Sequence, residues 1–187
     1  MAIIDIKTHI PQQNGIYFLD CNVLMYMHYT NGSYASTDIS DYSKLVTQII
    51  GANAKILMTD VLLSEFINTY IQAEFHRLAQ LHRFPTSKRY FKTTFKRTQY
   101  YKDTLKELKC IISRQMRPVF EFVDCKFSSF DPDVSAIFDV PETFDFNDRY
   151  YNYEMNAHHA FIVTNDADFS KTSGCDIITN NASLLSV

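Results

Sequence analysis

The sequence predicts an α/β protein: a three-layer α/β/α sandwich with a four- to five-stranded parallel sheet and a basic helical insertion. Short apolar segments bounded by polar or turn residues alternate with segments of helical periodicity, which is typical of a parallel sheet covered on both faces. The 187 residues suit one domain spanning residues 1–187. A composition of 46% hydrophobic and 21% charged residues excludes a largely disordered chain.

Five segments are predicted to be buried strands because each is short and rich in Val, Ile, Leu, Phe or Tyr. They are Gly15–Leu19, Lys55–Met58, Val119–Val123, Phe161–Thr164 and, as a fifth, Cys175–Thr179.

Four segments of helical periodicity lie between these strands. They are Ser40–Ile50, Asp60–Leu81, Thr98–Met116 and Asp148–Asn156. Thr59 or Asp60 is the expected N-cap of the second helix, and Pro118 is expected to end the third near Arg117. The least regular stretch, residues 127–146, is predicted to be a long connection.

The charges divide the chain into two parts. From Arg77 to Arg117 there are 12 Lys/Arg and 2 acidic residues, a net charge of +10, whereas the rest of the chain has a net charge of −13. We call the predicted helical excursion over residues 74–117 the cationic limb. Its charge suits a polyanion, and the acidic remainder suits cations.

The sequence also predicts a cytoplasmic protein. No run of about 18 apolar residues indicates a membrane span, and residues 1–15 lack the features of a signal peptide. The four cysteines lack Cys-x-x-Cys spacing, which favours free thiols over disulfides or a zinc site: Cys21, Cys110, Cys125 and Cys175.

Acidic residues stand where the predicted strands end or the adjoining helices begin. Asp20 closes the first strand, and Asp166 and Asp168 follow the fourth. Glu65 lies in the first turns of the helix after the second strand, and Asp148 begins the helix before the fourth. Ligands of open α/β sheets bind at the carboxyl ends of the strands, so these acids are expected to converge. Because unpaired carboxylates repel one another, the pattern predicts a hard divalent cation, Mg²⁺ or Mn²⁺.

The pattern leaves part of the ligand set open. Asp145 lies three residues before Asp148 and competes for its role. Asp166 and Asp168 compete for the fourth position, and Asp166 is preferred. An Asp at the end of a strand, such as Asp20, is also a common helix cap.

Asn22 and Thr164 are predicted to be supporting polar groups. Asn22 is expected to cap the first helix, and the Thr164 hydroxyl is expected to orient a carboxylate or a metal-bound water.

Together these motifs resemble the PIN-domain nucleases, and among them the VapC-like toxin ribonucleases of toxin–antitoxin pairs. The resemblance covers about residues 15–180 and rests on Asp20, Asn22, Glu65, Asp148 and the Thr-Asn-Asp-Ala-Asp-Phe motif at 164–169. It implies metal-dependent hydrolysis of RNA phosphodiester bonds, an antitoxin partner and a homodimer. The implied catalytic residues and metal ligands are Asp20, Glu65, Asp148 and Asp166, with Asp168 as a further ligand.

Two features depart from the pattern of that family. Glu65 and Asp148 are separated by the cationic limb, which compact members lack. The helix after Asp148 is aromatic, with Tyr150, Tyr151 and Tyr153 where small apolar residues would be expected.

The cationic limb is predicted to hold the RNA backbone through eight basic residues: Lys88, Arg89, Lys92, Lys96, Arg97, Lys102, Lys106 and Lys109. The rings of Tyr90, Phe91 and Phe95 interleave with the first five and would stack on bases. Two alternatives stay open. The aromatic rings could instead form core or dimer contacts, and an acidic antitoxin segment could cover this surface.

Two other classes of function compete with a nuclease. One is a non-catalytic nucleic-acid-binding module that uses only the cationic limb. The other is a phosphatase with Asp20 as a covalent nucleophile, although that class requires a second Asp where Asn22 stands.

Overall fold

The computed structural model describes residues 1–123, 146–171 and 174–186. Within them a single sheet contains six strands: β1 (Ile3–Asp5), β2 (Ile16–Leu19), β3 (Lys55–Thr59), β4 (Phe120–Val123), β5 (Phe161–Val163) and β6 (Ile177–Thr179). All neighbouring strands are parallel, in the order β1-β6-β5-β2-β3-β4. The predicted α/β class is therefore confirmed.

The helices of the described residues are α1 (Cys21–His28), α2 (Ser36–Gly51), α3 (Asp60–His82), α4 (Lys88–Thr93), α5 (Gln99–Cys110), α6 (Phe146–Ala157) and α7 (Ala182–Leu185). A π-helical turn, Ile111–Met116, directly follows α5. The helix predicted over 98–116 is therefore continuous but changes from α-helical to π-helical geometry at Ile111. Short 3₁₀ turns span Phe95–Arg97 and Ala167–Lys171.

The sheet has one strand more than the predicted four to five. All five predicted strands are present, and the additional strand is β1, which pairs with β6 at the edge of the sheet. β1 has only three residues, all half-buried, so it lacks the continuous apolar run that marks the central strands.

The centre of the sheet explains why its strands are apolar throughout. Tyr17, Phe18 and Leu19 of β2 are fully buried, as are Ile162 and Val163 of β5. Helices on both faces cover these strands, so alternation between polar and apolar residues is not required.

The order of the strands creates a switch point between β2 and β5. From β2 the chain proceeds through β3 and β4 to one edge of the sheet, and then through β5 and β6 toward the other. In open α/β sheets the crevice outside the carboxyl ends of the strands at such a point is where ligands bind. Asp20 follows β2 there, and Thr164 follows β5.

In the cationic limb, α5 runs back along α3. The Tyr100 ring at the start of α5 lies 4.7 Å from the ring of His82 at the end of α3. Further along both helices, Tyr70 of α3 shares a hydrogen bond with Glu107 of α5. The limb is therefore an antiparallel helical hairpin that returns toward the sheet.

An aromatic cluster fills the interior of this hairpin. Phe95 is fully buried, and Phe91 is 9% exposed. Both rings pack on Phe75 of α3, with centroid distances of 4.8 Å for Phe95 and 5.0 Å for Phe91. Tyr90 is half-buried and stacks on Phe84 at 5.4 Å. The prediction that Phe91 and Phe95 stack on bases is wrong, because both rings belong to the core.

Several sequence-based expectations concern residues whose placement is not described. Asp145, Cys125 and residues 127–145 of the predicted long connection lie outside the described residues. Cys21, Cys110 and Cys175 are free thiols. Among the helices in the described part of the chain, none combines the length and the hydropathy that a membrane span requires.

Candidate active site

Asp20 is the centre of the site, at the junction of β2 and α1. It is 6% exposed and is the N-cap of α1, where its Oδ1 accepts a 2.6 Å hydrogen bond from the Cys21 amide. Its Oδ2 accepts from the Asn22 side-chain amide at 2.6 Å and from the Thr164 hydroxyl at 2.7 Å. Asp20 therefore caps the helix and also presents a buried carboxylate.

Asn22 has a different role from the one predicted. The cap of α1 is Asp20, so the prediction that Asn22 caps this helix is wrong. Asn22 instead joins the ends of β2 and β5. Its Nδ2 donates to Asp20 and, at 3.3 Å, to Thr164, and its Oδ1 accepts from the Asn165 amide at 3.3 Å.

The electrostatics of Asp20 reflect its neighbours. The pKa of Asp20 is raised to about 7, chiefly by burial and to a smaller extent by the charges of Glu65 and Asp166, while hydrogen bonds from Thr164 and Cys21 oppose the shift. The carboxylates from β2, α3 and the segment after β5 are therefore near enough to repel one another. A cation bound there would relieve this repulsion.

Glu65, in the second turn of α3, is held by two donors from α6. Its Oε2 accepts from the Tyr151 hydroxyl at 2.5 Å and from the Asn147 side-chain amide at 2.9 Å. Tyr151 is fully buried, and its ring lies 4.8 Å from that of Phe18. Burial and the hydrogen bond to Glu65 raise the pKa of Tyr151, so the phenol remains protonated.

Tyr151 and Asn147 were not predicted as site residues. The only signal for them was the unexpected aromatic character of the helix that follows Asp148. Asp148 itself is half-buried in the first turn of α6, one residue after Asn147.

Asp166 and Asp168 are both exposed in the segment that follows β5. The Asp166 amide donates to the Thr164 hydroxyl at 2.9 Å, and Oδ1 of Asp166 accepts from the Asp168 amide at 2.9 Å. The charge of Asp166 is one of the causes that raise the pKa of Asp20.

Polar residues at the end of β6, which were also not predicted, contact the segment that follows β5. The Asn181 amide donates to the Thr179 hydroxyl at 3.0 Å, which repeats the turn that Thr164 and Asp166 form after β5. The Asn181 side chain donates to the Asn165 carbonyl at 2.7 Å. The sequence signal was the repetition of Thr-Asn after two strands, at 164–165 and 179–180.

An open groove adjoins Glu65. It has a volume of about 510 Å³ and lies between the first turns of α3 and the start of α6. Beside Val61, the described residues that line it have polar side chains: Asp60, Ser64, Glu65, Asn68, Thr69 and Asn147. Glu65, which is half-buried, is therefore accessible from this groove.

The donor set fits a hard cation in its chemistry, because Asp20, Glu65 and Asp166 all offer carboxylate oxygens. Within the residues that the structure describes, no three His, Cys, Asp or Glu side chains are grouped closely enough to hold an ion by themselves. Mg²⁺ is commonly bound by one or two carboxylates together with several waters, so an open arrangement of this kind is compatible with it.

The predicted RNA-binding residues form an exposed surface on the cationic limb: Lys88, Arg89, Lys92, Lys96, Arg97, Lys102, Lys106 and Lys109. Lys106 pairs with Asp103 at 3.6 Å, and the Lys96 ammonium lies 5.3 Å from the centroid of the Phe91 ring. The far end of α3 is 17 residues from Glu65, or roughly 26 Å at 1.5 Å per residue. The tip of this surface is therefore far from Asp20.

Comparison with solved structures finds a chain of similar fold. The chain is similar to one in the crystal structure of VapBC2 from Rickettsia felis bound to a DNA fragment from their promoter, with a TM-score of 0.51 and 15% sequence identity. The match covers 88% of this chain and 98% of that one. At 15% identity the likeness concerns the fold alone. Neither a family model nor a curated protein sequence matches the chain.

Proposed function

We propose that this protein is a metal-dependent endoribonuclease that hydrolyses RNA phosphodiester bonds. The observation that carries the proposal is the buried carboxylate of Asp20, whose pKa is raised to about 7 by burial and by the nearby charges of Glu65 and Asp166. Among the residues that the structure describes, no lysine or arginine forms an ion pair with Asp20, Glu65 or Asp166. An acidic pocket of this kind at the switch point of a PIN-like sheet suits Mg²⁺ or Mn²⁺.

The proposed ligands come from four parts of the chain: Asp20, Glu65, Asp148 and Asp166, with Asp168 as a further or alternative ligand. Asp145 remains the alternative to Asp148. When bound, Mg²⁺ or Mn²⁺ would supply charge stabilisation at the phosphoryl group and lower the pKa of a bound water. Thr164 and Asn22 hold the Asp20 carboxylate by hydrogen bonds, which fixes its orientation at the end of β2.

The eight basic residues of the cationic limb are proposed to bind the RNA backbone. Their side chains are exposed, whereas the neighbouring rings of Phe91 and Phe95 are not, so the contact is with phosphates and not with bases. Binding through phosphates is independent of sequence and weakens steeply as salt rises.

The protein is further proposed to be the toxin of a toxin–antitoxin pair that acts in the cytoplasm, with an antitoxin protein and a second copy of the chain as partners. The support is the PIN-like fold that it shares with a chain of the VapBC2 structure. A gene for a small protein beside the gene for this chain would support the antitoxin, and co-expression of the two proteins would test it.

Cleavage of labelled RNA tests the central proposal. Wild-type protein is incubated with the RNA in Mg²⁺, in Mn²⁺ and in EDTA, beside Asp20→Asn and Asp148→Asn. Asp176→Asn is the control, because Asp176 precedes β6 and so lies at the amino ends of the parallel strands, away from the carboxyl ends that carry the proposed site. We expect cleavage by the wild type and by the control only when a metal is present, and a loss of at least about 100-fold in the two site variants. Cleavage that persists in EDTA or in Asp20→Asn would refute the proposal.

A non-catalytic RNA-binding module is the second candidate. It is favoured by the observation that, in the described part of the chain, no three potential ligands form a closed metal cage. RNA binding that is indifferent to EDTA, with no cleavage under any condition, would support this candidate over the nuclease.

A further inference from the structure

Tyr151 forms an unusual contact between the core and the proposed site. Its hydroxyl donates to Oε2 of Glu65 at 2.5 Å, although 86 residues separate the two in the sequence. We propose that Tyr151 is a positioning residue that fixes the Glu65 carboxylate for metal binding. This inference rests on the proposed function, because Glu65 is one of its proposed ligands.

The packing around Tyr151 leaves its hydroxyl little freedom. The side chain is fully buried, and its ring contacts Phe18 at 4.8 Å and Tyr150 at 6.2 Å. Phe18 lies on β2, two residues before Asp20. Tyr151 therefore rests on the strand that carries one proposed ligand while it binds the side chain of another.

A second donor from the same helix strengthens the contact. Asn147 precedes Tyr151 by four residues, so both side chains project from one face of α6. The Asn147 amide donates to the same oxygen of Glu65 at 2.9 Å, whereas Oε1 accepts from neither residue. Two donors on one oxygen restrict the rotation of the carboxylate.

The arrangement also ties α6 to α3. Asp148 lies between Asn147 and Tyr151 on α6, so the two hydrogen bonds to Glu65 set the distance between two proposed ligands from separate helices. Partners that orient the ligands of a metal commonly change its affinity about 10–100-fold when they are removed. Tyr151, one of the aromatic residues that depart from the family pattern, thus has a specific role, which is to orient Glu65.

The protein contains a matched control for this contact. The hydroxyl of Tyr29, the C-cap of α1, donates to Oε2 of Glu74 on α3 at 3.1 Å, and both side chains are buried. Tyr151→Phe and Tyr29→Phe each remove one tyrosine–glutamate hydrogen bond and keep the ring. Both should lower the melting temperature by a similar small amount, while only Tyr151→Phe should disturb Glu65.

The test measures Mn²⁺ affinity by electron paramagnetic resonance and the position of Glu65 by crystallography of the metal-free proteins. We expect Tyr151→Phe to bind Mn²⁺ about 10–100-fold more weakly than the wild type, and Tyr29→Phe to bind it equally well. The Glu65 carboxylate should be displaced in Tyr151→Phe alone. Wild-type Mn²⁺ affinity in Tyr151→Phe, or an unmoved Glu65, would overturn the inference.

The two measurements separate this inference from the proposed function. If the wild type binds no Mn²⁺, the proposed metal site fails, and the crystal structures alone decide the role of Tyr151. Displacement of Glu65 would then still support positioning by Tyr151, and an unchanged Glu65 would overturn it.

Discussion

The Thr164 hydroxyl donates a 2.7 Å hydrogen bond to Oδ2 of Asp20, and both residues are buried. Thr164 follows β5 and Asp20 follows β2, so this bond joins the ends of the two strands at the switch point of the sheet. A buried carboxylate needs such donors because it has lost its hydration. The hydrogen bond from Thr164 favours the ionised form of Asp20, so it lowers the pKa that burial raises.

Replacement of Thr164 by valine should therefore reduce stability in a manner that depends on pH. Thr164→Val keeps the shape but removes the donor, so the pKa of Asp20 should rise further and the charged form should lose about 1–3 kcal/mol. Urea unfolding should show a larger loss of stability at pH 8 than at pH 5. Thr179→Val is the control, because Thr179 ends β6, accepts the equivalent turn hydrogen bond from Asn181 and shares its side-chain hydrogen bond with Tyr42 instead of a carboxylate. An equal pH dependence in both variants would contradict this role.

The pKa of Asp20 predicts how the metal-free protein responds to pH. Its value is about 7 in the folded protein and 3.8 in the unfolded reference, so the folded state binds the proton more tightly. Folding stability should therefore fall as pH rises from about 4 to about 7, by at most about 4 kcal/mol. Unfolding titrations in EDTA should show this loss in the wild type and in Asp176→Asn, and a smaller one in Asp20→Asn. A wild type whose stability is constant over this range would contradict the assignment.

Charge reversal on the cationic limb should weaken RNA binding through phosphates. Lys88, Lys92 and Arg97 suit this test better than Lys96, whose ammonium contacts the Phe91 ring. Replacement of the three by Glu should reduce the slope of log affinity against log salt by about 2, since each phosphate that a cation neutralises contributes roughly 0.7 to the slope. Fluorescence anisotropy over a range of salt concentrations measures this slope.

The control for the charge reversal lies outside the limb. Lys7 and Lys44 are exposed on the acidic body of the protein, and their replacement by Glu changes the net charge without touching the limb. An equal loss of affinity in this control would indicate that overall charge, and not the limb, attracts the RNA. Unchanged binding in the limb variant at low salt would remove the limb from the proposal.

The buried aromatic cluster predicts a large effect of Phe95 on stability. Phe95 is fully buried against Phe75, so Phe95→Ala should cost about 3–5 kcal/mol, or unfold the limb. Tyr100→Ala should cost much less, because Tyr100 is 42% exposed. Denaturant unfolding compares the two. A small loss for Phe95→Ala would mean that its ring is not part of the core and is accessible to bases.

The sequence was sufficient to predict the position of Asp20 and of Thr164, because alternating strands and helices form a parallel sheet whose strands all have their carboxyl ends on the same side. It was not sufficient to predict Tyr151 or Asn147. Their contacts with Glu65 span 86 and 82 residues and depend on how α6 packs against α3.

The rings of the limb show a second limit of sequence reasoning. Aromatic residues between lysines occur both in base-stacking surfaces and in the interior of small helical hairpins. The choice between these was decided by Phe75 of α3, against which Phe91 and Phe95 pack. Similarly, the edge strand β1 could not be recognised, because three half-buried residues carry little periodicity.

The most direct test of the central claim is the effect of Mg²⁺ and Mn²⁺ on thermal stability at pH 8, in the wild type and in Asp20→Asn. An ion that binds only the folded protein raises its melting temperature in proportion to the logarithm of its concentration above the dissociation constant. We predict a rise of several degrees in the wild type, a similar rise in Asp176→Asn and little or none in Asp20→Asn. A wild type whose melting temperature is indifferent to both ions, or an equal rise in Asp20→Asn, would contradict a metal centre at Asp20.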